Sequence, residues 1–406
     1  MKNMDFRTNV IKAKEILLSS PNNISMYEIF ASEANTFKPF RVLHANSNDG
    51  SALQSKLSKN STTAITKPIF CESKLLAYSE QIRKQMLLGE HNILYKSQAM
   101  LDTNFLSDLP RYFTGQDLST REVIKETLKV IITDFNSGVD WTFASLENMR
   151  EAMKAGNPWP TLKVAAVKYF LENGNKVVTG EEPSSLFKPY IRESCQFWDE
   201  WISDEDCLRQ LQRRDLLYCV MLLTFKELWN STPLDETLNI ITEFCLKVFN
   251  TLPLKEIYFA WKAFTLKTEN KLSIFDETAL KNNKINSIKR IRALSWDLFI
   301  FRWTETSLSL CNDNEFFIPC ITTIDAGLND MVKNCPLKAV IMSLDGNYIE
   351  SIFEDEIDFA NILEGSLTNK VRTLINCPNR TPKSYGVDAL NTSISNFEKE
   401  ISSLIG

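Results

Sequence analysis

The feature that most constrains how this chain folds is an interruption. Strand-and-helix alternation begins near Ser97, gives way at residue 157 to a stretch that is helical in pattern as far as residue 284, and then resumes. In the first block, QAMLDTNFL is a short apolar segment ending at Asp102, and after a polar turn REVIKETLKVIITDF follows a helical pattern. VDWTFASLENMREAMKAG is a further helix, with Phe143, Leu146 and Met149 at helical spacing and Gly156 and Pro158 closing it. In the second block, SIKRIRALSWDLFIFRWTETSL reads as a helix and FFIPCITTIDAGL as a β-rich run ending at Asp325. A short helix near LNDMVKN and a strand, KAVIMSL, come next. Such alternation on both sides predicts one α/β domain with a mainly parallel sheet, whose strands end at a common edge.

The expected organisation is therefore an N-terminal, mostly helical segment (1–95), a first core part (96–156), an all-helical insertion (157–284), a second core part (285–350) and a C-terminal segment (351–406). Within 1–95, helical pieces around 7–19 and 73–88 are separated by the Asn/Ser-rich stretch ANSNDGSALQSKLSKNSTT. The C-terminal segment carries turn chemistry in NCPNRTPKSYG and closes with a helix from about Asp388 to Leu404. Trp198, Trp201, Trp229 and Trp261 fall within amphipathic helical stretches, where aromatics at this spacing read as core.

Composition narrows the chemistry. Forty-six Lys and Arg against 51 Asp and Glu give a net charge of −5, too little positive field for global attraction to nucleic acid, so a polyanion would need a local basic patch. Nine scattered cysteines without a C-x-x-C pair indicate neither a disulfide framework nor a zinc ribbon, and fit a reducing cytoplasm. The N-terminus lacks a signal-peptide core, and the strongest apolar run, LLYCVMLLTF at 216–225, is shorter than the roughly 20 residues a spanning helix needs. It reads as a buried core helix, and no membrane association is expected. With only His44 and His91 present, and no G-x-S-x-G, G-x-x-x-x-G-K-[ST] or G-x-G-x-x-G, histidine-based catalysis and the usual nucleotide cradles lack support.

Carboxylates remain. Asp102 ends a buried strand, where it is either a helix cap or a functional acid. Asp325 ends CITTID in the same way. Asp297 has Ala293, Leu294, Ile300 and Phe301 at i±3 and i±4 and no cation in local reach, so it needs a distant partner, a metal ion or a shifted pKa. Glu147 has Arg150 at i+3, which also permits a simple surface ion pair. Four acids at one edge would repel unless cations neutralised them, and oxygen-rich sites of this kind select Mg²⁺ or Mn²⁺. Metal-assisted phosphodiester hydrolysis follows as the natural chemistry.

AMLDTNFLSD resembles the first strand and turn of PIN-like nucleases. FASLEN resembles the element bearing their second acid, and WDLFIFRW followed by ITTID resembles the last two. The resemblance implies a three-layer α/β/α sandwich, with Asp102, Glu147, Asp297 and Asp325 binding divalent metal and Asn104 and Thr323 as polar supports. An alternative takes Asp325 with Asp345, which ends VIMSLD, as the late acids. Two features depart from compact family members: the long helical insertion, and Pro319, which argues for an edge or bulge in the last strand. Lys281, Lys284, Lys289, Arg290 and Arg292 form a basic run before Asp297 that could meet a substrate backbone, or be only a solvated face.

The expected function is that of a cytoplasmic, metal-dependent ribonuclease in a toxin or antiviral-defence setting, open to a regulatory protein partner or to oligomerisation. The competing expectations are a non-catalytic interaction scaffold and a DNA flap or end nuclease.

Overall fold

The computed structural model describes residues 2–19, 25–45, 65–71, 75–88, 94–135, 138–268, 286–309, 315–376 and 386–405. They form two compact units, Met1–Cys207 with Phe301–Glu354, and Leu208–Ile300 with Asp355–Gly406. The Asn/Ser-rich stretch, the C-terminal turn segment, His91, Lys281 and Lys284 lie outside the described residues.

The first unit holds all eight described strands: β1 (Phe40–Ala45), β2 (Ile65–Pro68), β3 (Leu75–Tyr78), β4 (Leu94–Leu101), β5 (Val139–Asp140), β6 (Glu315–Thr323), β7 (Leu337–Ser343) and β8 (Ile349–Phe353). They make two four-stranded sheets, ordered β3-β1-β7-β8 and β2-β6-β4-β5. The expectation of one mainly parallel sheet is met only in part. In the second sheet β6, β4 and β5 are parallel and β2 is antiparallel, whereas the first sheet is antiparallel throughout. The shared, coarser feature is a mixed helix-and-strand unit with three parallel strands.

Helices make up most of the described residues of 1–95, and the segment also supplies β1 and β3 to the antiparallel sheet and β2 to the other. Every residue of FRVLHA in β1 is buried, so neither face shows the polar alternation that marks a strand in sequence. The helices Lys2–Ser19 and Met26–Ser32 supply Ala13, Leu17, Met26 and Phe30 to a cluster with Phe40, Val42, Tyr78, Ile341 and Ile352. Phe30 stacks on Tyr78 with ring centroids 4.3 Å apart and meets Phe37 edge-on at 4.7 Å.

The parallel sheet positions the candidate site. β4 pairs with β6 from Leu94↔Glu315 to Leu101↔Thr322, and β5 adds on the other side through Ala99↔Val139 and Met100↔Asp140. β6 is buried from Phe316 to Thr323, the near-continuous apolar run of a strand covered on both faces. Pairing with β2 stops at Pro68↔Cys320, so at Pro319 β6 has a strand on one side only, where proline is tolerated. After β4, the helix Thr103–Phe113 buries Phe105, Leu106, Leu109, Tyr112 and Phe113 as one stripe.

The helices Trp159–Asn173 and Ile191–Ser203, expected in the insertion, belong to the first unit. Phe113 explains this: its ring lies 5.1 Å from that of Tyr169 and 6.5 Å from that of Phe170, and its carbonyl accepts from the Val178 N–H at 2.8 Å.

The described regular elements of the second unit are all helices. Leu216–Phe225 is buried along its whole length within the helix Glu205–Trp229, as its composition predicts. The C-terminal segment joins this unit through partly buried ion pairs. Lys255 reaches Glu356 at 2.7 Å and Lys262 reaches Asp355 at 2.6 Å, where Tyr258 also donates at 2.7 Å. These acids open the helix Glu356–Ser366, the end at which negative charge is favourable. Trp198, Trp229 and Trp261 are buried, consistent with core roles, while Trp201 is half-buried and stacks on Phe197. Among the described residues no helix is long and apolar enough to cross a membrane, and the described cysteines form no disulfide.

Candidate functional site

Two of the predicted acids meet because β4 and β6 are parallel neighbours that end together. The Asp102 N–H donates to the Thr322 carbonyl at 3.1 Å, extending the β4–β6 ladder by one rung, and the chain then turns into the helix Thr103–Phe113. Asp102 is the N-cap of that helix: its Oδ1 accepts from the Phe105 N–H at 2.6 Å. Asp325 repeats the pattern two residues beyond β6, capping the helix Ala326–Asn334 by accepting from the Gly327 N–H at 2.7 Å.

Thr323 links the two. Its hydroxyl donates to Asp102 Oδ2 and accepts from the Asp325 N–H at 2.9 Å. The T-x-D spacing thus has a physical meaning, in which a buried hydroxyl at the last residue of one strand orients the acid of its neighbour and the backbone of its own. Glu147 is brought alongside by the helix Thr142–Ala152, whose residues Phe143, Leu146 and Met149 are buried as their spacing predicts. Glu147 is half-buried and accepts from the hydroxyl of Thr103, the residue next to Asp102.

Electrostatics registers this proximity. Asp102 is only 6% exposed. Burial pushes its carboxyl up from 3.8 to about 7 against the pull of the Thr323 and Phe105 hydrogen bonds, and the charges of Glu147 and Asp325 push the same way as burial. An acid poised near neutrality by enclosure and by like charges is the pattern that marks functional sites more often than surface ones.

The sequence reading missed Asp140. It ends β5, the third parallel strand, and accepts from the Thr142 N–H at 2.8 Å and from the Thr142 hydroxyl, with burial again the main force raising its carboxyl. The available signal was D-x-T before a helix, an Asx-type turn, but a strand of two residues is too short to be seen as a period.

Asn104 is exposed on the first turn after Asp102. Asp345 is exposed in the turn joining β7 to β8, in the other sheet. There it accepts from the Ser343 hydroxyl at 2.5 Å and from the Asn347 side chain at 2.9 Å, and these bonds hold its carboxyl below the usual range. It is a hairpin-turn residue, and the Asp325/Asp345 alternative draws on strand ends in different sheets. Asp297 is half-buried on the part of the helix Ser287–Ser309 that belongs to the second unit.

The basic run also belongs to the second unit. Lys289 and Arg290 are exposed, but Arg292 is engaged: it contacts Glu398 at 2.6 Å and lies 5.2 Å from the ring centre of Tyr218, which donates to the same carboxylate.

All the donors at the strand ends are oxygens, the set suited to Mg²⁺ or Mn²⁺. Among the described residues, however, no three His, Cys, Asp or Glu side chains stand close enough together to enclose one ion. The arrangement suits the Mg²⁺ habit of taking one or two carboxylates together with substrate phosphate oxygens, not an all-protein cage. Comparison of the chain with protein-family models, with curated proteins and with solved structures finds no match in any of the three.

Proposed function

We propose that the first unit is a divalent-cation-dependent phosphodiesterase acting on nucleic acid, with RNA the expected substrate and toxin or defence activity its setting. The observation that carries this reading is the placing of Asp102 and Asp325 at the ends of the parallel neighbours β4 and β6, with Asp102 pushed up to about 7 by burial and, in the same direction, by the charges of Glu147 and Asp325. The C-terminal edge of a parallel sheet, between strands flanked on both sides, is where open α/β sheets bind ligands.

In this reading Asp102 and Asp325 offer oxygen ligands, Thr323 fixes both, and Glu147 is the neighbouring acid held by Thr103. A bound Mg²⁺ or Mn²⁺ supplies an activated water and a counter-charge for the phosphate. Asp102 must lose its proton to act as a ligand, so cation binding and cleavage strengthen as pH rises through about 7. The test is Mn²⁺-dependent cleavage of single-stranded RNA, with a flapped DNA duplex in parallel, by wild type and Asp102→Asn. Cleavage lost in a folded variant supports the reading, and RNA left intact by the wild type with every divalent ion refutes it.

A second reading has its own observation. Asp102 and Asp325 each cap the helix that follows, which is a sufficient structural reason for an acid at both positions. On that reading the unit is a non-catalytic scaffold for a protein partner, and cation binding is absent.

A further inference from the structure

The sequence pointed to Lys289, Arg290 and Arg292 for the substrate backbone, yet the first unit carries a cation of its own beside the acids. Lys163 projects from the helix Trp159–Asn173, which packs against both Thr103–Phe113 and Thr142–Ala152, the helices that follow Asp102 and carry Glu147. It is half-buried, and its ammonium donates to a neutral acceptor, Asn148 Oδ1, at 2.7 Å. Asn148 is itself buried and is oriented by its own Nδ2–H, which donates to the Ala144 carbonyl at 2.6 Å.

A half-buried lysine ordinarily recovers its lost hydration by pairing with a carboxylate. Lys163 forms no ion pair among the described residues, although the charges of Glu147 and Glu151 are close enough to act on it. Burial pushes its ammonium below the usual range, with those two acids opposing. Glu147 is also one of the charges acting on Asp102, so Lys163 and Asp102 flank the same acid. An ammonium has three donors, and the amide of Asn148 uses one.

We infer that Lys163 is the anion-binding residue of this site, held by Asn148 so that its free N–H donors take a backbone phosphate of the nucleic acid whose cleavage Asp102 and Asp325 are proposed to support. The inference rests on the nuclease reading for its ligand, and it places the backbone contact on the first unit. Lysine serves as a point charge for phosphate where a planar guanidinium fork is not required.

The experiment measures binding of a fluorescein-labelled single-stranded RNA by anisotropy in EDTA, across a salt series, for wild type, Lys163→Met, Lys163→Arg and Asp102→Asn. Lys163→Met keeps the buried stem and removes the ammonium together with its bond to Asn148 Oδ1, and its folding is checked by denaturant midpoint. The expected result is about tenfold weaker binding by Lys163→Met, a log–log salt slope smaller by about one, and wild-type affinity restored by Lys163→Arg. Wild-type affinity and slope in Lys163→Met overturn the inference. A wild type that binds RNA through Lys163 but cleaves none sinks the nuclease reading and leaves this contact standing. Failure of the wild type to bind RNA removes both.

Discussion

Asp102→Asn tests the electrostatics of the site independently of any substrate. In the folded protein the carboxyl titrates at about 7, against 3.8 for an ordinary aspartate in the unfolded chain. Between these values the native state keeps a proton that the unfolded state has released. Stability attributable to this group is therefore complete below about pH 4, falls as pH rises, and levels off above about pH 7. Roughly three pH units at about 1.36 kcal/mol each give a loss on the order of 4 kcal/mol across that window. Asparagine retains an oxygen to accept from the Phe105 N–H, and its amide can donate to the Thr323 hydroxyl in place of the present bond, so the fold is kept while the titration disappears. The variant should match or fall slightly below the wild type near pH 4, by about 1 kcal/mol for the altered hydrogen bond. It should be the more stable protein at pH 8 by up to roughly 3 kcal/mol. Denaturant titrations read by hydrogen exchange of the peptide covering Leu94–Phe113 follow the unit that contains Asp102, whatever the other unit does. Parallel pH profiles for the two proteins between pH 4 and 8 would refute the claim that burial and neighbouring acids hold this carboxyl protonated.

Four further outcomes are expected. At pH 8, millimolar Mn²⁺ should raise the denaturant midpoint of the wild type, as any ligand selective for the native state does, and should leave Asp102→Asn unmoved; equal responses would place the ion elsewhere. Thr323→Val deletes the bond to Asp102 and strands the Asp325 N–H, costing about 1–3 kcal/mol by thermal or urea unfolding, and a neutral result would deny Thr323 its linking role. Asp345→Asn, in the turn of the antiparallel sheet, should leave RNA cleavage at the wild-type rate, and a large loss would revive it as a late acid. Leu217→Ala, at a fully buried position in the helical unit, should cost about 2–5 kcal/mol in calorimetry or urea titration; a small effect would mean that helix is not core.

What could be read directly from the chain was local. An apolar run, an acid and then a helical period describe Asp102 and Asp325 almost completely, because strand ends and helix caps are decided by residues within one turn of each other. The buried face of Thr142–Ala152 and the apolar core of Glu205–Trp229 were legible for the same reason. Strand partnership was not. β4 and β6 are separated by more than half the chain, and the pattern of either is satisfied by any parallel neighbour, so only the folded molecule shows that Leu101 faces Thr322 and that Thr323 therefore reaches Asp102. Tertiary packing likewise drew Trp159–Asn173 and Ile191–Ser203 to the first unit, put Asp345 in a separate sheet, and made Asp140 the end of a third parallel strand. Periodicity states which face of an element is apolar but not what covers it, and that choice is made by contacts between residues far apart in sequence.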